Sequence, residues 1–194
     1  MKLYYAPGAC SLAGHITAAE GGLTLDLEKV DLKTHKTESG LDFYEINPKG
    51  YVPALRLDDG SLLTENPAIL PFLGDKAGLM PEGLDRYRAL EWIGYTGTEL
   101  HKNFGPLFGG ASDDAKAKAK ATIQKRLALV EERLSGDYLL GAKFSPPDAY
   151  LFVVLRWCAG MGVDLSALPR LTAFKTRMEG RKGVQQALKE EGLV

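Results

Sequence analysis

Cys10 and Ser11 stand side by side just after a short run, Lys2-Leu3-Tyr4-Tyr5, that is broken by Pro7-Gly8. Such a run reads as a strand, and Ser11 onward reads as the start of a helix. The first turn of a helix presents unpaired N–H groups and the positive end of the dipole, both of which favour a thiolate over a thiol. Cys10 therefore reads as an activated sulfur or as the stabiliser of another sulfur. Core packing, the common fate of an unpaired cysteine, is the competing reading. Glu65-Asn66-Pro67 forms a second polar group, which reads as a helix entrance with Asn66 as N-cap and Pro67 at the first helical position. A third comprises Gly94, Thr98 and His101, whose i, i+4, i+7 spacing puts them on one helix face. A neutral histidine there can donate a hydrogen bond to a thiolate or relay its proton.

The elements that must position these residues follow from pattern. The helix begun near Ser11 runs to Glu20 and stops at Gly21-Gly22, and Leu25 to Asp31 gives a second strand, making a strand, helix, strand unit of the parallel kind. Residues 33–50 are polar and turn-rich and read as a structured loop. Ala54 to Leu57, the turn Asp58-Asp59-Gly60 and Ser61 to Thr64 make a hairpin. A short helix ends near Gly74, and a linker follows. Beyond it the pattern is helical throughout: Leu90, Ile93, Gly97, Leu100, Phe104 and Leu107 recur at helical spacing, as do Ile123, Leu127, Val130 and Leu134. Residues 149–158 are apolar almost all round, marking a buried central helix introduced by the start signal Ser145-Pro146-Pro147-Asp148. Cys158 lies within that helix and reads as core. The last segment, Leu171 to Leu188, gives one or two short helices split at Gly180 to Gly183.

Composition excludes several classes. With 194 residues, Lys+Arg 24 against Asp+Glu 25 and a formal net charge of -1, the chain carries no electrostatic footprint for nucleic acid or an anionic membrane. Two cysteines cannot build a disulfide framework, and no stretch approaches membrane-spanning length, so a cytoplasmic location is expected. The N-terminus has no apolar run of signal-peptide length before Pro7-Gly8.

Pro7-Gly8-Ala9-Cys10-Ser11-Leu12, Asn47-Pro48-Lys49-Gly50-Tyr51-Val52-Pro53-Ala54-Leu55, Thr64-Glu65, Leu100-His101-Lys102 and Asp148-Ala149-Tyr150-Leu151-Phe152 occur in this order along nearly the whole chain. In this combination the sequence resembles the cytosolic glutathione transferases, and more narrowly their bacterial beta class. The resemblance implies a thioredoxin-like α/β domain over residues 1–76, a linker over 77–83 and an all-helical domain over 84–194 that carries an electrophile pocket. It implies a homodimer without nucleic-acid or membrane partners, glutathione as co-substrate and no metal. The implied activity is conjugation of the glutathione thiolate to small hydrophobic electrophiles. Thiol-disulfide exchange or reductive dehalogenation through Cys10, and a non-enzymatic binding or regulatory protein on the same scaffold, stand as alternatives.

The implied site is assigned residue by residue. Cys10, Ser11 and His101 would stabilise the thiolate. Val52, across a cis bond to Pro53, would pair its backbone with the cysteinyl unit, as an added strand does. Glu65 and Asn66 would hold the γ-glutamyl end, and His35, Thr98 and Lys102 complete the set. Tyr5, Phe104, Leu107, Phe108 and Trp157 are candidates for the electrophile pocket. The chain departs from the pattern at His35, where lysine is common, at Gly94, where asparagine is common, at Gly14, often proline, and at Asn66, often serine or glycine. The first two departures predict weaker glutathione binding than in close relatives.

Overall fold

Leu3 and Tyr5 point to one side of a strand and Tyr4 to the other, and both sides are buried, so this strand must be central. In the computed structural model, which describes residues 1–194, that strand is β1 (Lys2–Tyr5). It is followed by α1 (Leu12–Glu20), β2 (Asp26–Asp31), β3 (Lys36–Thr37), α2 (Phe43–Ile46), β4 (Ala54–Arg56), β5 (Leu62–Thr64) and α3 (Asn66–Lys76). The sheet order is β3-β2-β1-β4-β5. β1 pairs parallel with β2, Leu3 opposite Leu27, and antiparallel with β4, Leu3 opposite Leu55. On one face Leu3, Tyr5, Leu55, Ile69 and Leu73 cluster; on the other Tyr4, Ala6, Val30, Phe43, Val52 and Ala54 do.

The remaining helices are α4 (Gly83–Tyr95), α5 (Gly105–Phe108), α6 (Asp113–Arg133), α7 (Pro146–Met161), α8 (Pro169–Glu179) and α9 (Lys182–Glu190). No helix is long and apolar enough to cross a membrane. The α7 start is as read: Asp148 is fully buried, and its carboxylate accepts from the Ser145 N–H and Oγ at 2.8 and 2.9 Å and from the Leu139 N–H at 2.8 Å. Cys158 is fully buried in α7, and burial pushes its thiol up to about 12, as suits an inert core residue.

Four sequence expectations change. Residues 33–50 contain a strand and a one-turn helix, β3 and α2, because Phe43 and Thr37 are buried under this segment. Asn66 is the first residue of α3 and Glu65, at φ 72°, its cap, so the cap moves one residue back. The first long helix is interrupted: after Tyr95 the chain makes a π-helical turn (Thr96–Leu100) and then a 3-10 turn (His101–Phe104). Finally, the chain divides into Met1–Met80 with Arg181–Val194, and Pro81–Gly180, so the last helix does not belong with the helical half.

The reason for that last change is a close approach. A Cβ on Gly183 would lie 2.6 Å from the Glu20 nitrogen, so only glycine lets α9 lie on the end of α1. Val184, Ala187 and Leu188 are buried there, and Glu20 accepts from the Arg181 guanidinium and, at 3.3 Å, from the Val184 N–H.

Candidate functional site

The first unit holds seven of the sequence-predicted residues: Cys10, Ser11, His35, Val52, Pro53, Glu65 and Asn66. The turn between β1 and α1 is held by the Ala9 N–H on the Ala6 carbonyl at 3.0 Å and by the Leu12 N–H on the Ala9 carbonyl at 3.0 Å. Ser11 is fully buried in it: its hydroxyl accepts from the Ala6 N–H at 3.3 Å and donates to the Ala6 carbonyl at 3.4 Å. Both bonding directions are thereby used within the turn. The Ser11 hydroxyl thus braces the turn that carries Cys10, and its backbone N–H is the group of this residue that favours a thiolate.

Cys10 is half-buried and donates its S–H to the Val52 carbonyl at 3.3 Å. Desolvation pushes its thiol up to about 12, against the lowering effect of the Cys10 and Ser11 N–H groups, and the Glu65 carboxylate adds to the rise. The helix N-terminus does act as the sequence suggests, but burial outweighs it. Cys10 is thus a neutral hydrogen-bond donor here and not a thiolate.

Around it stand three backbone and side-chain partners. The Val52–Pro53 bond is cis and Val52 is buried. Asn66 is buried and donates Nδ2–H to the Cys10 carbonyl at 3.1 Å, while its Oδ1, also buried, has no protein partner. Glu65 is exposed; its Oε1 accepts from Lys49 Nζ at 2.6 Å and from the Tyr51 hydroxyl at 2.7 Å, and these bonds hold its carboxyl below the usual range. Lys49 and Tyr51 went unassigned in the sequence, although both lie in the loop that precedes Val52. His35 takes up a left-handed backbone, φ 52°, with its ring 4.5 Å from that of Tyr44 and its buried Nδ1 unpartnered.

The second unit holds the others. Thr98 lies within the π turn; it is exposed and its hydroxyl donates to the Gly94 carbonyl at 3.1 Å. His101 sits beyond the turn, Nδ1 2.7 Å from the buried Tyr150 hydroxyl and its ring 4.8 Å from that of Trp157. Desolvation lowers its pKa, so the imidazole is neutral near pH 7. Lys102 is exposed. Trp157 also meets Phe104 at 5.4 Å and Phe108 at 5.2 Å, and Phe108 keeps half its surface open. Tyr5 belongs to the first unit, where it is buried with Leu3, Leu55, Ile69 and Leu73.

Two family models match the chain: glutathione S-transferase, N-terminal domain, over residues 8–76, and glutathione S-transferase, C-terminal domain, over residues 95–182. The glutathione S-transferase GstA of Escherichia coli O157:H7 is 46% identical over 200 residues, with 100% of both chains covered. Among solved structures, a sphingomonad glutathione S-transferase complexed with glutathione is 47% identical at a TM-score of 0.95, over 100% of both chains. The bacterial beta class glutathione S-transferase of Sphingomonas chungbukensis is 49% identical, again at 0.95 and over 100% of both chains.

Proposed function

The chain belongs to the glutathione S-transferase family, and from that premise we propose that it conjugates the sulfur of glutathione to small hydrophobic electrophiles, with the tripeptide held at the Cys10 turn. One observation carries the site assignment: Cys10, Val52 and Asn66 are tied together by hydrogen bonds, and Asn66 Oδ1 is left buried without a partner. A buried acceptor without a donor is costly, so the constellation is incomplete until a ligand donor arrives. An ammonium group answers that need, with the Glu65 carboxylate beside it in sequence and held in place by Lys49 and Tyr51. The α3 start offers its N–H groups to the carboxylate of the same γ-glutamyl end. The Val52 backbone pairs with the cysteinyl unit. His35 takes the glycyl carboxylate, and Thr98 and Lys102 complete the contacts.

Catalysis here is mainly the lowering of the glutathione thiol pKa, with proximity adding the rest. Cys10, protonated, turns its S–H from the Val52 carbonyl to the incoming sulfur and does not attack. His101, neutral and bonded at Nδ1 to Tyr150, supplies a second hydrogen bond or takes the thiol proton at Nε2. The aromatic faces of Trp157 and Phe108 receive the electrophile. Exchange or dehalogenation through Cys10 would need its thiolate, which burial disfavours. The proposal includes a cytoplasmic homodimer, supported by the exposed Leu84, Tyr87 and Leu90 along α4.

The test is conjugation of glutathione to a chloronitroaromatic by the parent, Cys10→Ala and His101→Ala, with intact mass beside each. The expected result is turnover by the parent, a fall of about 10- to 100-fold in His101→Ala and a smaller fall in Cys10→Ala. A glutathione adduct on Cys10 without conjugation would replace this reading with thiol exchange. Neither product would leave a binding protein.

A further inference from the structure

Gly8 opens the turn that carries Cys10, at φ 70°, and its N–H donates to Glu191 Oε2 at 2.9 Å. Glu191 follows α9, 183 residues away in sequence, and its side chain is fully buried. Its other oxygen, Oε1, lies 3.0 Å from His15 Nδ1, and His15 Nε2 lies 2.7 Å from Glu190 Oε2. The Leu193 side chain also lies against Gly8, 3.5 Å from where a Cβ would stand. One buried carboxylate therefore joins the turn to the middle of α1 and to the end of α9. A glutamate placed only to pack α9 would have no reason to turn one oxygen to this amide.

We propose that Glu191 is a positioning residue for the Cys10 turn: held by His15, its carboxylate fixes the Gly8 amide and so the attitude in which the turn presents Cys10. The proposal rests on the reading of that turn as the glutathione site. Both ring nitrogens of His15 face carboxylates, so both must donate, which is the imidazolium form. The groups facing His15 are Glu190 at the end of α9, Glu191 just after it, and Tyr5 of β1, its ring 6.4 Å away; Gln186 bonds Glu190 at 2.9 Å. Burial disfavours the charged ring, but the hydrogen bonds and charges of Glu191 and Glu190 outweigh it and hold the pKa above the ordinary value. A small cavity of about 190 Å³ is lined by His15, Leu23, Gln186 and Glu190. When His15 loses its proton, one nitrogen becomes an acceptor facing a carboxylate. The hold on Glu191, and with it on Gly8, then loosens as pH rises.

Glu191→Ala and Glu191→Gln separate this role from packing. In Glu191→Ala the KM for glutathione rises about five-fold with kcat within a factor of two, and alkylation of Cys10 by iodoacetamide speeds by a similar factor, the worth of one lost hydrogen bond. Glu191→Gln, which keeps an oxygen for Gly8 and offers an amide N–H to neutral His15, restores both values and flattens their change between pH 6 and 9. Glu190→Gln, which touches His15 but not Gly8, leaves KM at pH 6 unchanged. Parent-like KM and alkylation in folded Glu191→Ala overturn the proposal, as does Glu191→Gln behaving like Glu191→Ala. If the alanine variant does not fold, amide exchange of Gly8 in the parent decides: protection that falls from pH 6 to 9, beyond the intrinsic rate, supports it, and constant protection overturns it. Alkylation and exchange do not need conjugation to occur, so failure of the glutathione reading shows separately, as absent turnover with these two responses intact.

Discussion

His15 and His101 are both largely removed from water, yet their surroundings drive them in opposite directions. His15 lies in a charged seam between α1 and α9, where two carboxylates hold it protonated. His101 lies against Tyr150 and Trp157, where nothing offsets desolvation and the ring is neutral. Burial sets the cost of the charge in both places, and the neighbours decide whether it is met. The first histidine is thereby fitted to hold a turn, the second to donate or accept a proton.

The largest expected effect comes from breaking the seam. Glu191→Ala leaves buried His15 with one partner fewer and should lower stability by about 3 kcal/mol, read as a denaturant midpoint at pH 6. Next comes the aromatic side: Tyr150→Phe removes the Nδ1 partner of His101 and should cost about 1 kcal/mol in transition-state stabilisation, read as kcat/KM for conjugation. An unchanged value would mean that Tyr150 does not orient the ring.

The two histidines also predict opposite pH arms. The folded pKa of His15 is raised, so its stabilisation is full below the unfolded value of about 6.5 and is lost as pH rises through the folded value. The folded pKa of His101 is lowered, so its contribution is present above about 6.5 and is lost as pH falls toward the folded value. Denaturant midpoints from pH 5 to 9 should therefore lose their acid arm in His101→Phe and keep their alkaline arm. The smallest effect concerns His35→Lys, which restores a permanent charge and should tighten glutathione by a few-fold, since an exposed ion pair is worth about 0.2–1 kcal/mol. Calorimetry measures it, and unchanged affinity would remove His35 from the site.

How much was legible follows from how local each signal is. The β1 run, the Pro7-Gly8 break, the hairpin at Asp58-Asp59-Gly60 and the Ser145–Asp148 box are written in a few adjacent residues, and each forms as read. The polar segment 33–50 hid β3 and α2 because its order comes from Phe43 reaching the core across the sheet. The face shared by Gly94, Thr98 and His101 presumed a continuous helix, and the π turn at Thr96–Leu100 has no signature in residue type.

The sequence by itself determined most of the elements, β3, α2 and the π turn aside, together with the two cysteine environments in outline and which residues could bear chemistry, because propensity, capping and turn geometry act over a few bonds. Only the tertiary structure decided that burial keeps the Cys10 thiol protonated, that the Ser11 hydroxyl bonds within its turn, and that the last helix returns to α1 to set Glu191 between His15 and Gly8. Protonation and hydrogen-bond partnership depend on desolvation and on groups brought together from distant parts of the chain, and those distances do not exist until the chain has folded.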